Sequence, residues 1–253
     1  MNITSTTNPL GFTYGKNCFG PKPEIRKLDD IRQSLSNPNC DGPENVYAIV
    51  MDIGCKEDFN DLVARHLLYG AVTYAAGRLG DEPVRSQGHI HKISSFSGWS
   101  TPEIYEIWQG KAIILMQEFA EDNPGKCFAV EAGPGDVVIV PPYWAHATIS
   151  ADPTQPLTFG AWCDRDYGFV YDGVRKHKGL AWFPKLDKKG NIYWETNKNY
   201  ESSKLIQKSP EDYKNLGLEK GISIYEQYKK ENSRFDFVPN PILKKEVWEN
   251  FVP

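Results

Sequence analysis

Short apolar runs, each bounded by Gly, Pro or Asp, recur between residues 46 and 163. They read VYAIVMDIG, GAVTYAAG, IYEIWQG, KAIILMQEF, CFAVEAG, DVVIVPP, HATIS and LTFGAWC. A spacing of roughly 8–12 residues between such runs is typical of an all-β sandwich or barrel. Residues 57–69 differ, because their apolar residues lie at helical spacing and Gly70 follows as a cap, which predicts a helix. The pattern predicts a β domain over residues 46–185.

The two ends of the chain have a different texture. Residues 1–45 are rich in Asn, Pro and Gly, with one helical candidate at 23–35, and we interpret them as an N-terminal arm without obvious chemistry. Residues 186–253 contain charged stretches such as SPEDYKNLGLEKG and SIYEQYKKENS. Their mixed apolar and charged residues predict a helical C-terminal extension that packs on the β domain or on a second subunit.

Composition and charge exclude several classes of protein. The 253 residues are 40% hydrophobic and 25% charged, as in ordinary globular proteins. A net charge of −4 disfavours nucleic acid as a partner, because that binding needs clustered Lys and Arg. No apolar run approaches the roughly 18 residues that cross a membrane, and the first residues lack a signal-peptide pattern. The five cysteines are scattered and form no CxxC pair, which predicts reduced thiols and a cytoplasmic protein.

Three of the five histidines lie in two short segments, and this concentration is the main chemical signal. His89 and His91 occur in QGHIHK, and His146 occurs in VPPYWAHATIS. Residues two apart in a strand point to the same face, so His89 and His91 present both imidazoles to one point. A carboxylate follows at Glu103 or Glu106, on opposite faces of the next strand. Three imidazoles and one carboxylate suit a divalent metal with open coordination positions, such as Fe(II), Mn, Ni or Zn.

The arrangement of these residues resembles the two motifs of the cupin superfamily. Glu103 and Gly110 follow the histidine pair and are separated by six residues, as in the first cupin motif, which favours Glu103 over Glu106 as the ligand. The second motif is met by Gly135, Pro141 and His146, although Tyr143 stands at its Gly and Ser150 at its Asn. The resemblance implies a jelly-roll β-barrel.

Within the cupins, residues 70–185 are similar to the cupin-type, archaeal-type glucose-6-phosphate isomerases. The similarity is carried by GHIH, EIYEIWQG, PGDVVIVPPYWAHATIS and RDYG. It implies interconversion of glucose 6-phosphate and fructose 6-phosphate, a homodimer, and one divalent metal per subunit, with Fe(II) favoured. One departure is the spacer between His91 and Glu103: its eleven residues, 92–102, exceed the family's spacer and form an insertion beside the metal.

The resemblance also implies roles for individual residues. The metal ligands are His89, His91, Glu103 and His146. Glu103 is in addition the proton shuttle between adjacent carbons, while a metal-assisted hydride shift is the competing mechanism. The phosphate is approached by Thr73, Ser86 and the amide of Gly88. Tyr105 and Tyr167 line the sugar pocket.

Other interpretations stay open at this point. Another metal-dependent cupin enzyme, either an isomerase of a different sugar or an iron dioxygenase, fits the same ligands, because a fold does not determine chemistry. A non-catalytic sugar-binding cupin is the alternative from outside the enzymes. Arg85 is an additional candidate cation near Ser86. His66 and His177 are interpreted as surface or helix-face residues rather than ligands.

Overall fold

The computed structural model describes residues 1–253 and consists mainly of β-strands. The strands in chain order are β1 Ile3–Thr7, β2 Leu10–Tyr14, β3 Cys18–Phe19, β4 Glu24–Lys27, β5 Asn45–Met51, β6 Gly54–Cys55, β7 Leu67–Tyr74, β8 Arg78–Leu79, β9 Glu82–Pro83, β10 Ile90–His91, β11 Glu103–Gln109, β12 Ala112–Gln117, β13 Cys127–Ala132, β14 Val137–Val140, β15 Ala145–Ser150, β16 Leu157–Asp164, β17 Phe169–Val170, β18 Trp182–Leu186, β19 Ile192–Thr196 and β20 Leu205–Lys208.

The helices are short. The α-helices are α1 Leu28–Ile31, α2 Phe59–Ala64, α3 Asp172–Lys176, α4 Ile224–Lys230 and α5 Lys245–Glu249. Single 3₁₀ turns occur at Arg32–Ser34, Lys56–Asp58, Lys214–Leu216, Asn232–Phe235 and Pro241–Lys244. None of these helices has the length and apolar character that crossing a membrane requires.

Two sheets enclose the main core. Six strands pair antiparallel in the order β14-β11-β16-β7-β5-β4, and four pair in the order β15-β12-β13-β20, with β20 parallel to β13. Apolar side chains from the inner faces of both sheets fill the space between them; they include Val72, Tyr105, Ile107, Ile114, Met116, Phe128, Val130, Val138 and Phe159. This arrangement is the jelly-roll predicted from the sequence, and every one of the eight apolar runs contributes a strand.

The helix predicted at 57–69 is only partly correct. α2 ends at Ala64, and β7 begins at Leu67. His66 takes the left-handed conformation that closes a helix, with φ of 53°, a role usually filled by glycine. Gly70 lies inside β7 and is therefore not a helix cap.

The N-terminal segment extends the six-stranded sheet. β4 pairs antiparallel with β5 at the edge of that sheet, so the first half of the helix predicted at 23–35 is a strand instead. The remaining helical part is α1 and one 3₁₀ turn. The prediction failed because backbone pairing with β5 outweighs local helix propensity, which is weak over so few residues.

The C-terminal residues cover the outer face of the six-stranded sheet. Trp162 of β16 is fully buried there against an aromatic cluster formed by Tyr225, Tyr228 and Phe235. The extension therefore packs on its own β domain. Its helical part is small, because α4 and α5 span seven and five residues, while β20 joins the four-stranded sheet.

Candidate metal centre and active site

The backbone brings two of the predicted ligand segments side by side. Residues 84–91 run antiparallel to β15, and His89 and His146 exchange both backbone hydrogen bonds, with N···O distances of 3.0 and 2.9 Å. β10, which contains His91, pairs with β17 on its other side. His89 and His91 point to the same side, as their alternation predicts.

A sharp turn delivers His146 to the site. β14 ends at Val140, two prolines follow, and Tyr143 has a left-handed φ of 72°. The cupin motif has glycine at Tyr143, and the structure retains the conformation that glycine would favour. The backbone N–H of Tyr143 donates to Ser100 Oγ at 3.2 Å, so the insertion helps to hold this strained turn.

The four predicted ligands converge. One donor atom from each of His89, His91, Glu103 and His146 lies within 4.8 Å of the others. Glu103 Oε2 is 3.2 Å from His91 Nε2 and 3.4 Å from His146 Nε2. Glu106 faces the other side of the sheet, where its Oε2 accepts from the backbone N–H of Ile224.

Hydrogen bonds to backbone carbonyls orient two of the imidazoles. Nδ1 of His91 lies 2.8 Å from Thr101 O, and Nδ1 of His146 lies 3.2 Å from Trp144 O. Nδ1 donates in both cases, which leaves Nε2 as a lone-pair donor aimed into the cluster. Nε2 of His89 and Nε2 of His146 are buried without a hydrogen-bond partner. Unpaired buried nitrogens beside a carboxylate are what an open-site divalent metal requires, so these residues fit such an ion.

The pKa directions of three of the four residues, His89, His146 and Glu103, also suit metal binding. Burial lowers the pKa of His89 well below its ordinary value, and the neighbouring imidazoles add to this effect, so His89 is neutral at pH 7. Burial likewise lowers the pKa of His146, whereas at His91 the effect of burial is outweighed by the Glu103 carboxylate, which raises the pKa. Burial alone would raise the pKa of Glu103, but the adjacent His146 and His91 rings outweigh it and hold that pKa well below its usual range. Neutral imidazoles and an ionised carboxylate are the forms that bind metal.

The two oxygens of Glu103 have different surroundings. Oε2 accepts a 2.6 Å hydrogen bond from the Tyr105 hydroxyl and lies next to the two imidazoles. Oε1 accepts only from the Cys163 thiol, at 3.3 Å. Burial raises the pKa of both Tyr105 and Cys163, so both remain protonated donors. A thiol is a weak donor, so Oε1 is the less saturated oxygen.

Three residues of the cluster, His89, Glu103 and His146, line a cavity whose wall also includes Arg26 of the N-terminal segment. Three further residues predicted for the substrate line it: Ser86, Gly88 and Tyr105. Thr73 does not, because its side chain is fully buried and bonded to Thr158, while Val72 and Tyr74 face the cavity. Tyr167 is 43% exposed and does not line the cavity; its ring is tilted against that of Phe169, which lines the cavity in its place.

Several cavity residues were not anticipated from the sequence. They are Arg26, Tyr47, Tyr74, Gln87, Cys163, Phe169 and Tyr171. Only Gln87 could have been predicted from the sequence, because it lies between two residues already assigned to the phosphate. The others reach the cavity through strand pairing between distant segments.

The additional basic residues do not reach the cavity. Arg85 is buried in an ion pair with Glu82, at 2.6 Å. His66 stacks on Phe96 of the insertion at a centroid distance of 3.9 Å. His177 was predicted to be a surface or helix-face residue; it follows α3 but is only 3% exposed, and its Nε2 lies 2.9 Å from Asp122.

Known proteins resemble the chain over the same region. A model of the glucose-6-phosphate isomerase (GPI) family matches residues 33–203, more than half of the chain. The chain belongs to the glucose-6-phosphate isomerase family. Two relatives in this family carry the name glucose-6-phosphate isomerase. The protein of Thermococcus litoralis is 34% identical over 63% of this chain and 78% of its own, and that of Pyrococcus furiosus is 33% identical over 64% and 80%.

The match to this glucose-6-phosphate isomerase family includes all four clustered ligands and the insertion. It begins at residue 33, so Arg26 lies outside it. Among solved structures, an oxalate oxidase in complex with the substrate analogue glycolate is 14% identical, with a TM-score of 0.38, over 51% of this chain and 57% of that chain. That match is too distant to carry an argument about the site.

Proposed function

We propose that the protein is a metal-dependent aldose-ketose isomerase that interconverts glucose 6-phosphate and fructose 6-phosphate. The observation that carries the proposal is the convergence of three imidazoles and one carboxylate, with two buried Nε2 atoms unpaired, inside a cavity of a glucose-6-phosphate isomerase family member. His89, His91, Glu103 and His146 would hold the ion. When bound, a divalent ion supplies Lewis-acid stabilisation of the negative charge that develops on the two substrate oxygens.

Glu103 moves the proton in this proposal. The reaction moves one hydrogen between adjacent carbons and one proton between the oxygens that these carbons carry. Glu103 acts on the carbon-bound hydrogen, because its Oε1 has the lone pair with the weakest competing hydrogen bond. Oε1 accepts the proton from one carbon and returns it to the neighbouring carbon. Tyr105 keeps Oε2 occupied, so the carboxylate cannot rotate freely between its two oxygens. Ser86 and the amide of Gly88 are proposed to contact the phosphate.

The first test measures conversion of fructose 6-phosphate to glucose 6-phosphate with glucose-6-phosphate dehydrogenase as the coupling enzyme. Chelator-stripped protein should be inactive, and one of Fe(II), Mn, Ni or Zn should restore turnover, with or without oxygen. Metal binding without turnover on any of these ions contradicts the proposal. His89→Ala, His91→Ala and His146→Ala should lose metal, and His177→Ala serves as the matched control that retains it.

A second measurement separates the two hydrogen-transfer mechanisms. A proton held on Glu103 exchanges with water, so turnover in D₂O should place deuterium in the product. Product free of deuterium would indicate a direct hydride shift and would remove Glu103 from the transfer step. Fe(II) as the resident ion, a homodimer and a cytoplasmic location remain proposals from the sequence.

A further inference from the structure

The mouth of the cavity carries a cation supplied by the N-terminal segment. Arg26, Gln87 and Tyr171 line both the cavity and a second hollow directly outside it, so they mark the passage between the two. Arg26 is the only Lys or Arg among the cavity-lining residues. It lies on β4, before the region that matches the family model, in a segment for which the sequence predicted no chemistry.

The surroundings of Arg26 are rich in hydrogen-bond donors. Burial raises the pKa of the Tyr47 and Tyr171 hydroxyls, and the charge of the nearby Arg26 guanidinium opposes that rise in both. Arg26, Tyr47 and Tyr171 all line the same cavity. Tyr171 also connects this region to the metal cluster, because its ring centroid is 6.1 Å from that of His89.

A second arginine supports the same wall from outside. The Arg175 guanidinium lies over the Tyr171 ring, 4.5 Å from its centroid, and its Nε donates to Gln87 Oε1 at 3.1 Å. Because Oε1 of Gln87 is occupied, the group that Gln87 can offer to a ligand is its amide N–H₂. Gln87 lies between Ser86 and Gly88, and all three residues line the cavity.

The acidic residues near the cavity mouth either bind other groups or form only a weak ion pair with Arg26. Asp29 pairs with Arg32 at 2.6 Å, and Asp30 accepts from the backbone N–H of Lys27 at 2.8 Å. Arg26 itself pairs with Glu24 at 2.5 Å, but the Glu24 side chain is 64% exposed. Ion pairs with an exposed partner contribute little to stability, so an anion that brings two charges displaces Glu24.

We propose that Arg26, with Gln87 and Tyr171, forms an anion-binding subsite at the cavity mouth that takes the phosphate of a phosphorylated sugar. The identity of the sugar rests on the proposed function, whereas the anion binding does not. Arginine matches phosphate because its planar fork donates two parallel hydrogen bonds. The subsite gives the apolar cavity the charge it needs to select a phosphorylated substrate over the free sugar.

The test is calorimetric titration of the full-length, metal-loaded protein with 6-phosphogluconate, gluconate and inorganic phosphate. Arg26→Met should weaken 6-phosphogluconate binding by about thirtyfold, as expected for loss of a charge-assisted pair, and change gluconate binding less than twofold. Arg26→Lys should lie between. Lys27→Met is the matched control, because Lys27 is the next residue of β4 but pairs with Glu44 instead. It should change binding less than twofold.

Each result separates the alternatives. Equal losses for 6-phosphogluconate and gluconate in Arg26→Met, or equal losses in Arg26→Met and Lys27→Met, would overturn the subsite. Inorganic phosphate should compete with 6-phosphogluconate in the wild type and not in Arg26→Met; phosphate that fails to compete in the wild type would also overturn it. Arg26-dependent binding without any isomerisation would contradict the proposed function and leave the subsite in place.

Discussion

Cys163 controls the oxygen of Glu103 that is proposed to carry the proton. Its thiol is the one hydrogen-bond donor to Oε1, at 3.3 Å, and it is 4% exposed at the cavity wall. Cys163→Ala should lower kcat by about three- to tenfold, because Oε1 loses the bond that orients it, while KM and metal affinity change little. Cys163→Ser should recover most of the activity, since a hydroxyl donates to the same oxygen. Steady-state kinetics and metal titration measure these effects.

A matched cysteine provides the control for this prediction. Cys127 is equally buried, but it lies on β13 and contacts Ser203 instead of the site. Cys127→Ala should leave kcat unchanged. If Cys163→Ala lost its metal, or if the Ser variant were as slow as the Ala variant, the thiol would be a packing residue and not an orienting one.

At the same scale, single residues show where sequence reasoning stops. The alternation of His89 and His91 was sufficient to place both imidazoles on one side. Thr73 was assigned to the substrate on the strength of the family resemblance, and the pattern of β7 offered no check, because all eight of its residues are buried and no polar side marks the solvent face. Neighbouring residues of a strand point to opposite faces, so an assignment that is wrong by one residue selects the wrong face. In the structure Val72 and Tyr74 line the cavity, and Thr73 between them does not.

At the level of elements, the insertion at 92–102 is a structural support of the metal centre. Asp166 anchors it through Lys92 Nζ at 2.7 Å, Ser95 N at 2.7 Å and Ser95 Oγ at 2.6 Å. The far end of the insertion supplies Thr101 O, which orients His91. Asp166→Asn should therefore weaken metal binding by about tenfold, as loss of supporting contacts around metal ligands commonly does. Competition with a metal chelator measures this change.

Asp166→Asn should also change how the stability of the protein depends on pH. Hydrogen bonds from Lys92 and Ser95 hold the pKa of Asp166 well below its usual range. A carboxyl with a depressed folded-state pKa stabilises the fold above its unfolded pKa of about 3.9, and this contribution is lost as the pH falls below that value. The stability gap between wild type and Asp166→Asn in urea unfolding should thus be largest near pH 7 and shrink below about pH 4.

Asp152→Asn is the control for this element. Asp152 also has a lowered pKa, but its bonds stay within its own turn, to Thr154 and Gln155. It should show a similar acid dependence of stability with unchanged metal affinity. Metal loss in both variants would mean that the effect of Asp166 does not pass through the insertion.

The elements themselves were predictable to different degrees. Strands with apolar runs and turn residues at their ends were located correctly, because the signal is local. The strand β4 and the parallel strand β20 were missed, since each is formed by pairing with a strand about twenty or more residues away. Arg26 reaches the cavity only because β4 pairs with β5, so its role was invisible to any local pattern.

At the scale of the whole molecule, Glu106 is one of the residues that join the β domain to the C-terminal extension. Glu106 lies on β11, three residues after Glu103 but on the opposite face, and its Oε2 accepts from the backbone N–H of Ile224 at the start of α4. Trp162 Nε1 donates to the carbonyl of the same residue, at 3.3 Å. The strand that supplies the metal ligand thus also holds the extension.

Glu106 should make the stability of the whole fold depend on pH. Burial raises its pKa, and the backbone hydrogen bond from Ile224 only partly opposes this. A carboxyl with a raised folded-state pKa gives full stability below its unfolded pKa of about 4.3, and part of that stability is lost as the pH rises through the folded value. Glu106→Gln does not titrate, so its stability relative to wild type should be higher at pH 7 than at about pH 4.5 in urea unfolding.

Glu106→Ala tests whether the contact or the charge matters. It leaves the Ile224 N–H without its acceptor and should destabilise the protein by about 1–3 kcal/mol at both pH values. Neither variant should alter kcat or metal affinity, because the side chain faces away from the cavity. If the stability of Glu106→Gln relative to wild type instead fell as the pH rose, the ionised carboxylate would be the favoured form in the fold. The extension would then be held by the negative charge of Glu106 at the start of α4. The two variants together therefore decide whether the extension is fixed by hydrogen bonding or by charge, independently of the chemistry on the other face of the same strand.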